Sequence, residues 1–187
     1  RYLRQVLSGL DRLHGAGIIH RDVKPYNMLV SESDQVQIID FGLSLLRGET
    51  RAVPEQFKIG TPYYAAPEQE AGADSVDVRA DIYGAGALAW RMLTGFLPPE
   101  RGTPPRPGAV NPLLGDCWDD FLLCATHRDP ANRFAGCMAM TAALDAAFEN
   151  WQQTLEQACR IQKPPEHFSE RGSGAAGQIR KKPLKVS

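Results

Sequence analysis

The 187-residue sequence has no run of about 18 apolar residues long enough to span a bilayer, no secretory leader pattern and no repeat at solenoid spacing. A membrane-spanning segment and a repeat array are therefore not expected. Charge of one sign is also missing: 21 Lys and Arg face 22 Asp and Glu, a formal net charge of -1. No global field draws such a chain to nucleic acid or an anionic membrane, so a partner has to be recognised by a local site. Cysteine is scarce. Cys117, Cys124, Cys137 and Cys159 show no C-x-x-C spacing, and three of them sit among apolar residues, which points to buried free thiols in a reducing cytoplasm rather than zinc ligands. With 43% hydrophobic residues the chain can still bury one sizeable core, so one domain plus a tail is expected.

The chain opens on Arg1 inside a helical pattern (Leu3, Val6, Leu7, Leu10, Leu13), as though continuing from a longer protein. Gly15-Ala16-Gly17 should stop that helix, because glycine accepts the left-handed conformation common at helix ends. After Ile18 and Ile19 comes a dense polar run, His20-Arg21-Asp22-Val23-Lys24-Pro25-Tyr26-Asn27, through which Pro25 forbids a regular helix. Met28-Leu29-Val30 and Val36-Gln37-Ile38-Ile39, joined by a polar Ser31–Gln35 segment, read as a small hairpin. Folding back there sets Asn27 beside Asp40. Two oxygen donors at one end of a hairpin suit a hard cation such as Mg²⁺, which completes its shell with phosphate and water.

Residues 41–64 read as a long loop without periodicity. A helix apolar nearly all round is expected from Val78 to Leu93, closed by Thr94-Gly95, and belongs in the centre of a helical domain. The Pro- and Gly-rich stretch 96–115 should be irregular. Asp116 is placed to cap a helix through Trp118, Phe121, Leu122 and Ala125, and a further helix is expected from Ala135 to Phe148, continuing toward Ile161. Residues 163–187, with three glycines and the run Arg180-Lys181-Lys182, have the composition of a disordered linker or tail.

Three clusters then stand out together: His20-Arg21-Asp22 through Asn27, Asp40-Phe41-Gly42, and Ala66-Pro67-Glu68. In that order they resemble the catalytic-loop, D-F-G and A-P-E signatures of protein kinases. Asp81 to Gly86 and Arg128 to Arg133 are similar to later kinase segments, so the resemblance covers residues 1–150. It implies a mainly α fold with a small β-hairpin, an α+β kinase C-terminal lobe (1–150), a helical extension (151–162) and the tail (163–187). No glycine-rich loop and no V-A-I-K-type lysine occur, so the N-terminal lobe is absent from this chain and would be its partner in the full-length protein. Without it, the resemblance implies that the isolated stretch is inactive.

The roles that follow are those of phosphoryl transfer, where an enzyme chiefly positions groups and neutralises charge. The resemblance makes Asp22 the acceptor of a substrate hydroxyl proton and Lys24 the cation on the transferring phosphoryl group. It makes Asn27 and Asp40 the Mg²⁺ ligands, with Mn²⁺ an alternative, and ATP the nucleotide. His20 reads as a satisfied core histidine. Arg21 resembles the arginine that pairs with phosphate on an activation loop, Thr50 being the leading acceptor. Thr61, in Gly60-Thr61-Pro62, would bridge Asp22 and Lys24, and with Lys24 itself resembles serine/threonine rather than tyrosine kinases. Glu68 and Arg133 resemble a buried ion pair, and Asp81 the anchor of the catalytic-loop backbone. Protein serines and threonines are then the expected substrates, with no nucleic-acid partner. Plain loop lengths and Ala-rich helices resemble eukaryotic-like kinases of bacteria. A scaffold without activity, or a tail that binds anionic surfaces, are the competing readings.

Overall fold

The computed structural model describes residues 1–40, 45–46, 63–71, 76–99 and 104–161, and the side chains of these except at 45–46 and 159–161. Helix α1 (Tyr2–Gly15) turns Leu3, Val6, Leu7 and Leu10 inward, the i, i+3, i+4, i+7 spacing of one helical face. It ends where Ala16 N–H returns to Arg12 and Gly17 takes φ 78°. Two-residue strand β1 (Ile18–Ile19) follows, and then the polar loop, whose only regular piece is a 3₁₀ turn at Pro25–Asn27.

Strands β2 (Met28–Val30) and β3 (Val36–Ile38) form an antiparallel hairpin with Met28 opposite Ile38 and Val30 opposite Val36. Its turn is held from α1: Gln5 Oε1 accepts from Val36 N–H at 2.9 Å, and Arg1 and Tyr2 reach Asp34 at 2.8 and 2.7 Å. Strand β4 (Leu45–Leu46) pairs antiparallel with β1, Ile19 opposite Leu45. This corrects the expectation of an unbroken loop over 41–64. A two-residue strand has no periodicity to read, and its partner lies more than twenty residues upstream.

Helix α2 (Pro67–Glu70) is a single turn, and α3 (Arg79–Thr94) is the central helix, buried almost continuously from Ala80 to Trp90. Gly95 closes α3 at φ 81°. Gly84 lies where α3 meets the polar loop: a Cβ there would stand 2.8 Å from the Val23 Cβ and 3.0 Å from its carbonyl oxygen, so only glycine admits the approach. Around α3 pack α1, α5 (Asp119–Ala125) and, through α1 and α5, the long α6 (Cys137–Ile161). Leu7, Leu10, Ile82, Trp90, Leu122 and Met140 are fully buried between them. The fold is thus mainly helical with two small antiparallel sheets.

Two further expectations change. Residues 96–115 are not wholly irregular, because Pro107 starts a one-turn helix, α4 (Pro107–Val110). Asp116 does not cap α5 through its side chain. The helix is entered through a 3₁₀ turn at Asp116–Trp118, while Asp119 Oδ1 accepts from Gly108 N–H at 2.8 Å and ties α5 to α4. Of the cysteines, Cys137 is buried, but Cys117 and Cys124 are only partly so, because they flank an open groove of about 400 Å³ between α5 and α6. No described helix is long and apolar enough to cross a membrane. The proposed tail lies outside the described residues, whereas α6 runs unbroken through residue 150.

Candidate active site

The polar loop owes its shape to one buried carboxylate. Asp81, in the first turn of α3, is fully buried, and its oxygens accept from His20 N–H at 2.9 Å and Arg21 N–H at 2.7 Å. A third contact comes from His14 Nε2 at 2.7 Å. Arg21 takes φ 66° in this grip. For a non-glycine residue that conformation costs roughly 1–2 kcal/mol, so the surroundings must hold it in place.

His20 is fully buried and bridges the loop to the hairpin: Nδ1 accepts from Asp22 N–H at 3.2 Å, and Nε2 lies 3.2 Å from the Ile39 carbonyl. Accepting at Nδ1 and facing a carbonyl at Nε2 assigns the Nε2–H tautomer. The loop's outer face then gathers the chemistry. Asp22 Oδ2 lies 2.7 Å from Lys24 Nζ, and Asn27 Nδ2 donates to Asp22 Oδ2 and to the Asp22 carbonyl, each at 2.8 Å. The Asp22 and Lys24 side chains are 16% and 18% exposed, screened from bulk water yet reachable.

Asn27 is buried, and with its NH₂ committed to Asp22 its Oδ1 is turned the other way. Ile39 N–H donates to the Asn27 carbonyl at 2.9 Å, which registers the end of the hairpin so that Asp40, exposed and at φ 64°, comes one residue after the one bonded to Asn27. An amide oxygen and a carboxylate fit Mg²⁺ as a donor set. They are too few to hold it unaided, and no cluster of three or more His, Cys, Asp or Glu able to bind a metal exists among the described residues. A cation held by so few donors would have to complete its shell with oxygens from elsewhere.

On the other side of the loop, α2 is seated by Arg133. Its Nη1 and Nη2 each donate to a Glu68 oxygen at 2.7 Å, and its guanidinium also donates to the carbonyls of Arg79, His127 and Arg128. The same guanidinium lies 4.9 Å over the Tyr83 ring, and burial pushes the Tyr83 hydroxyl pKa up. Arg21 is 8% exposed, and its Nε has no hydrogen-bond partner among the described residues. Burial lowers its pKa, with the Asp81 carboxylate acting the other way. Thr50 and Thr61 lie outside the described residues.

Two participants escape the sequence reading. His14 continues the buried face of α1 (Leu7, Leu10, His14), and a polar residue at that spacing was the available signal. It joins Asp81 to the buried Cys137, whose Sγ lies 3.5 Å from His14 Nδ1. Burial first, and then the charges of Asp11 and Asp81, push the Cys137 thiol up to about 12, so it is a neutral thiol. Gln69 is the second: its Oε1 accepts from Ala66 N–H at 3.1 Å, and its Nε2 donates to the Arg21 carbonyl at 2.8 Å. Its position three residues after a helix start was the signal.

The family model described as protein kinase domain matches residues 1–106, more than half of the chain. The chain belongs to the protein kinase family. Among kinases it is similar to the serine/threonine-protein kinase PknL of Mycobacterium tuberculosis, 36% identical over 159 residues, which cover 79% of this chain and 40% of PknL. It is also similar to serine/threonine-protein kinase pkn3 of Myxococcus xanthus, 35% identical over 168 residues covering 78% of this chain and 30% of that one. The crystal structure of the M. tuberculosis PknI kinase domain superposes with a TM-score of 0.59 at 30% identity, over 78% of this chain and 54% of the PknI chain. The resemblance to eukaryotic-like kinases of bacteria is thereby shown, while the chain spans no more than two fifths of the length of these two curated relatives.

Proposed function

We propose that this chain is the C-terminal lobe of a protein kinase that transfers the γ-phosphate of ATP to serine or threonine hydroxyls of protein substrates. Residues 1–150 form that lobe, 151–162 a helical extension and 163–187 a tail. The observation that carries the reading is the Asp22 carboxylate, held between Lys24 Nζ and Asn27 Nδ2 on a loop pinned from beneath by Asp81. A carboxylate so oriented can take a proton from an incoming hydroxyl, and Lys24 beside it can meet charge on the phosphoryl oxygens.

Asn27 Oδ1 and Asp40 are the atoms to hold Mg²⁺ or Mn²⁺, which supplies neutralisation of phosphate charge when bound with ATP. Arg21, buried with a donor to spare, is the residue to receive a phosphate on Thr50, and Thr61 is the hydroxyl to bridge Asp22 and Lys24. The exposed apolar side chains of Leu29 and Val30 on β2 suit a covering N-terminal lobe of the same full-length protein. A reducing cytoplasm is the proposed setting.

The test is Asp22→Asn in the full-length protein. An amide is nearly isosteric but cannot accept the proton, so phosphate transfer to a serine/threonine peptide should fall by at least roughly 10²-fold with the fold intact. Transfer at the wild-type rate would remove Asp22 from the mechanism.

A further inference from the structure

The peptide unit joining Arg21 to Asp22 decides where the Asp22 side chain starts, and it is gripped at both ends. Its N–H donates to His20 Nδ1 at 3.2 Å, and its carbonyl accepts from Gln69 Nε2 at 2.8 Å. One peptide earlier, Arg21 N–H is fixed by Asp81 at 2.7 Å. Since Arg21 sits at φ 66°, its own preference is to leave this conformation, and rotation about Arg21 ψ would swing the carbonyl and carry Asp22 with it. Among the described residues, the contact that holds this carbonyl against the swing comes from Gln69, which belongs to another segment of the chain.

We propose that Gln69 is a positioning residue for Asp22, coupling the seating of α2 to the geometry of the catalytic carboxylate. The coupling is physical because one amide makes both bonds: Oε1 takes Ala66 N–H at the start of α2 while Nε2 holds the Arg21 carbonyl. Helix α2 is in turn seated by the Glu68–Arg133 pair, one residue away from Gln69. Displacing the segment 66–70 therefore withdraws the donor from the Arg21 carbonyl. The inference rests on the reading of Asp22 as the catalytic carboxylate, and it adds a residue whose contact with that chemistry, among the described residues, runs through the backbone.

The two bonds can be separated by substitution. Gln69→Glu keeps an acceptor for Ala66 N–H but offers the Arg21 carbonyl a carboxylate oxygen in place of a donor, whereas Gln69→Ala loses both bonds without adding charge. Steady-state transfer from Mg²⁺-ATP to a serine/threonine peptide is measured in the full-length protein for both variants, with Asp22→Asn alongside. Both Gln69 variants should lower kcat by roughly 10- to 100-fold, the size of effect that about 1 Å of misplacement produces. KM for ATP should stay within about twofold, because the loss falls on the transition state. Exchange of the Asp22 amide hydrogen should speed up in both, a readout that simple capping of α2 would not move.

Wild-type kcat in Gln69→Glu, with Asp22→Asn inactive, would overturn the proposal and leave Gln69 as a cap of α2. A fall in kcat matched by an equal fall in the folded fraction would also overturn it. Wild-type transfer by Asp22→Asn would instead bring down the reading on which the proposal rests.

Discussion

The loop that carries Asp22 and the helical end built from α5 and α6 are held by opposite means. Between His20 and Asn27 the backbone has one 3₁₀ turn, a residue in the left-handed region, and single-point polar anchors: Asp81, His20, Gln69 and the hydrogen bonds of Asn27. Around α5, Phe121, Leu122, Ala125, Met140 and Leu144 are buried by area, with Trp118 edge-on to Phe121 at 6.0 Å and to Trp151 at 6.4 Å. Apolar burial is non-directional and tolerates a change of shape, whereas a hydrogen bond fails when one atom changes its role. A loop whose proposed work is to aim one carboxylate is built from directional anchors, and the fold around it from area.

Asp81→Asn gives the sharpest break in this comparison, because it alters almost no volume. An amide NH₂ must then face one of the donors at His14, His20 or Arg21, leaving buried groups unsatisfied, and roughly 3–5 kcal/mol of stability should be lost. Urea denaturation reads this directly, and a midpoint unchanged from wild type would show that the carboxylate's charge and acceptor count are irrelevant to the loop. In the helical end the equivalent experiment is Leu122→Ala against Leu122→Met. Truncation of this fully buried side chain should cost about 3 kcal/mol, and the volume-conserving swap less than about 1.5 kcal/mol. Equal losses would mean that this region, too, depends on exact fit.

The smallest effect at neutral pH belongs to Cys137, where the two regions meet through His14. Its thiol sits near 12 in the folded chain against an ordinary value of 9.0, so the native state keeps a proton that the unfolded chain releases. That contribution is complete below pH 9 and is lost as pH rises toward 12, so stability should decline over that window. At pH 8 a thiol reagent should label Cys117 while Cys137 stays unlabelled until the protein unfolds. Native-state labelling of both at one rate would contradict the buried, neutral thiol.

The helices and the hairpin were legible because their signals are local: the apolar spacing of α1, the all-round apolar face of α3 with Gly95 after it, and the two short apolar runs of β2 and β3 joined by a polar segment. Strand β4 was not, since its two residues exist as a strand only by pairing with β1. The Asp116 cap failed for a related reason: the sequence offers three aspartates near the start of α5, Asp116, Asp119 and Asp120, and the contact with Gly108 engages Asp119. In the site, residues whose types announce charge or metal chemistry could be named from their motifs as candidates. His14 and Gln69 were missed because each works through a partner far along the chain, 67 residues away at Asp81 and 48 away at Arg21. Side-chain type says what bond a residue can make, and only the fold says to whom.

The pairing of Glu68 with Arg133 has a consequence for the order in which the protein comes into being. The two residues are 65 positions apart. At roughly 5–20 residues per second of synthesis, Glu68 waits roughly 3 to 13 seconds on a growing chain before its arginine is made. Through that interval α2 lacks its ion pair and is left with the packing of Ala66 on Ala80 and Tyr83 and the bonds of Gln69 itself. A nascent chain that already contains every residue from His20 to Asp81 is therefore not yet a chain with its carboxylate aimed. Vectorial assembly leaves the aiming until the stretch that ends in Arg133 has emerged, so a stalled or truncated product should carry the motif without the geometry.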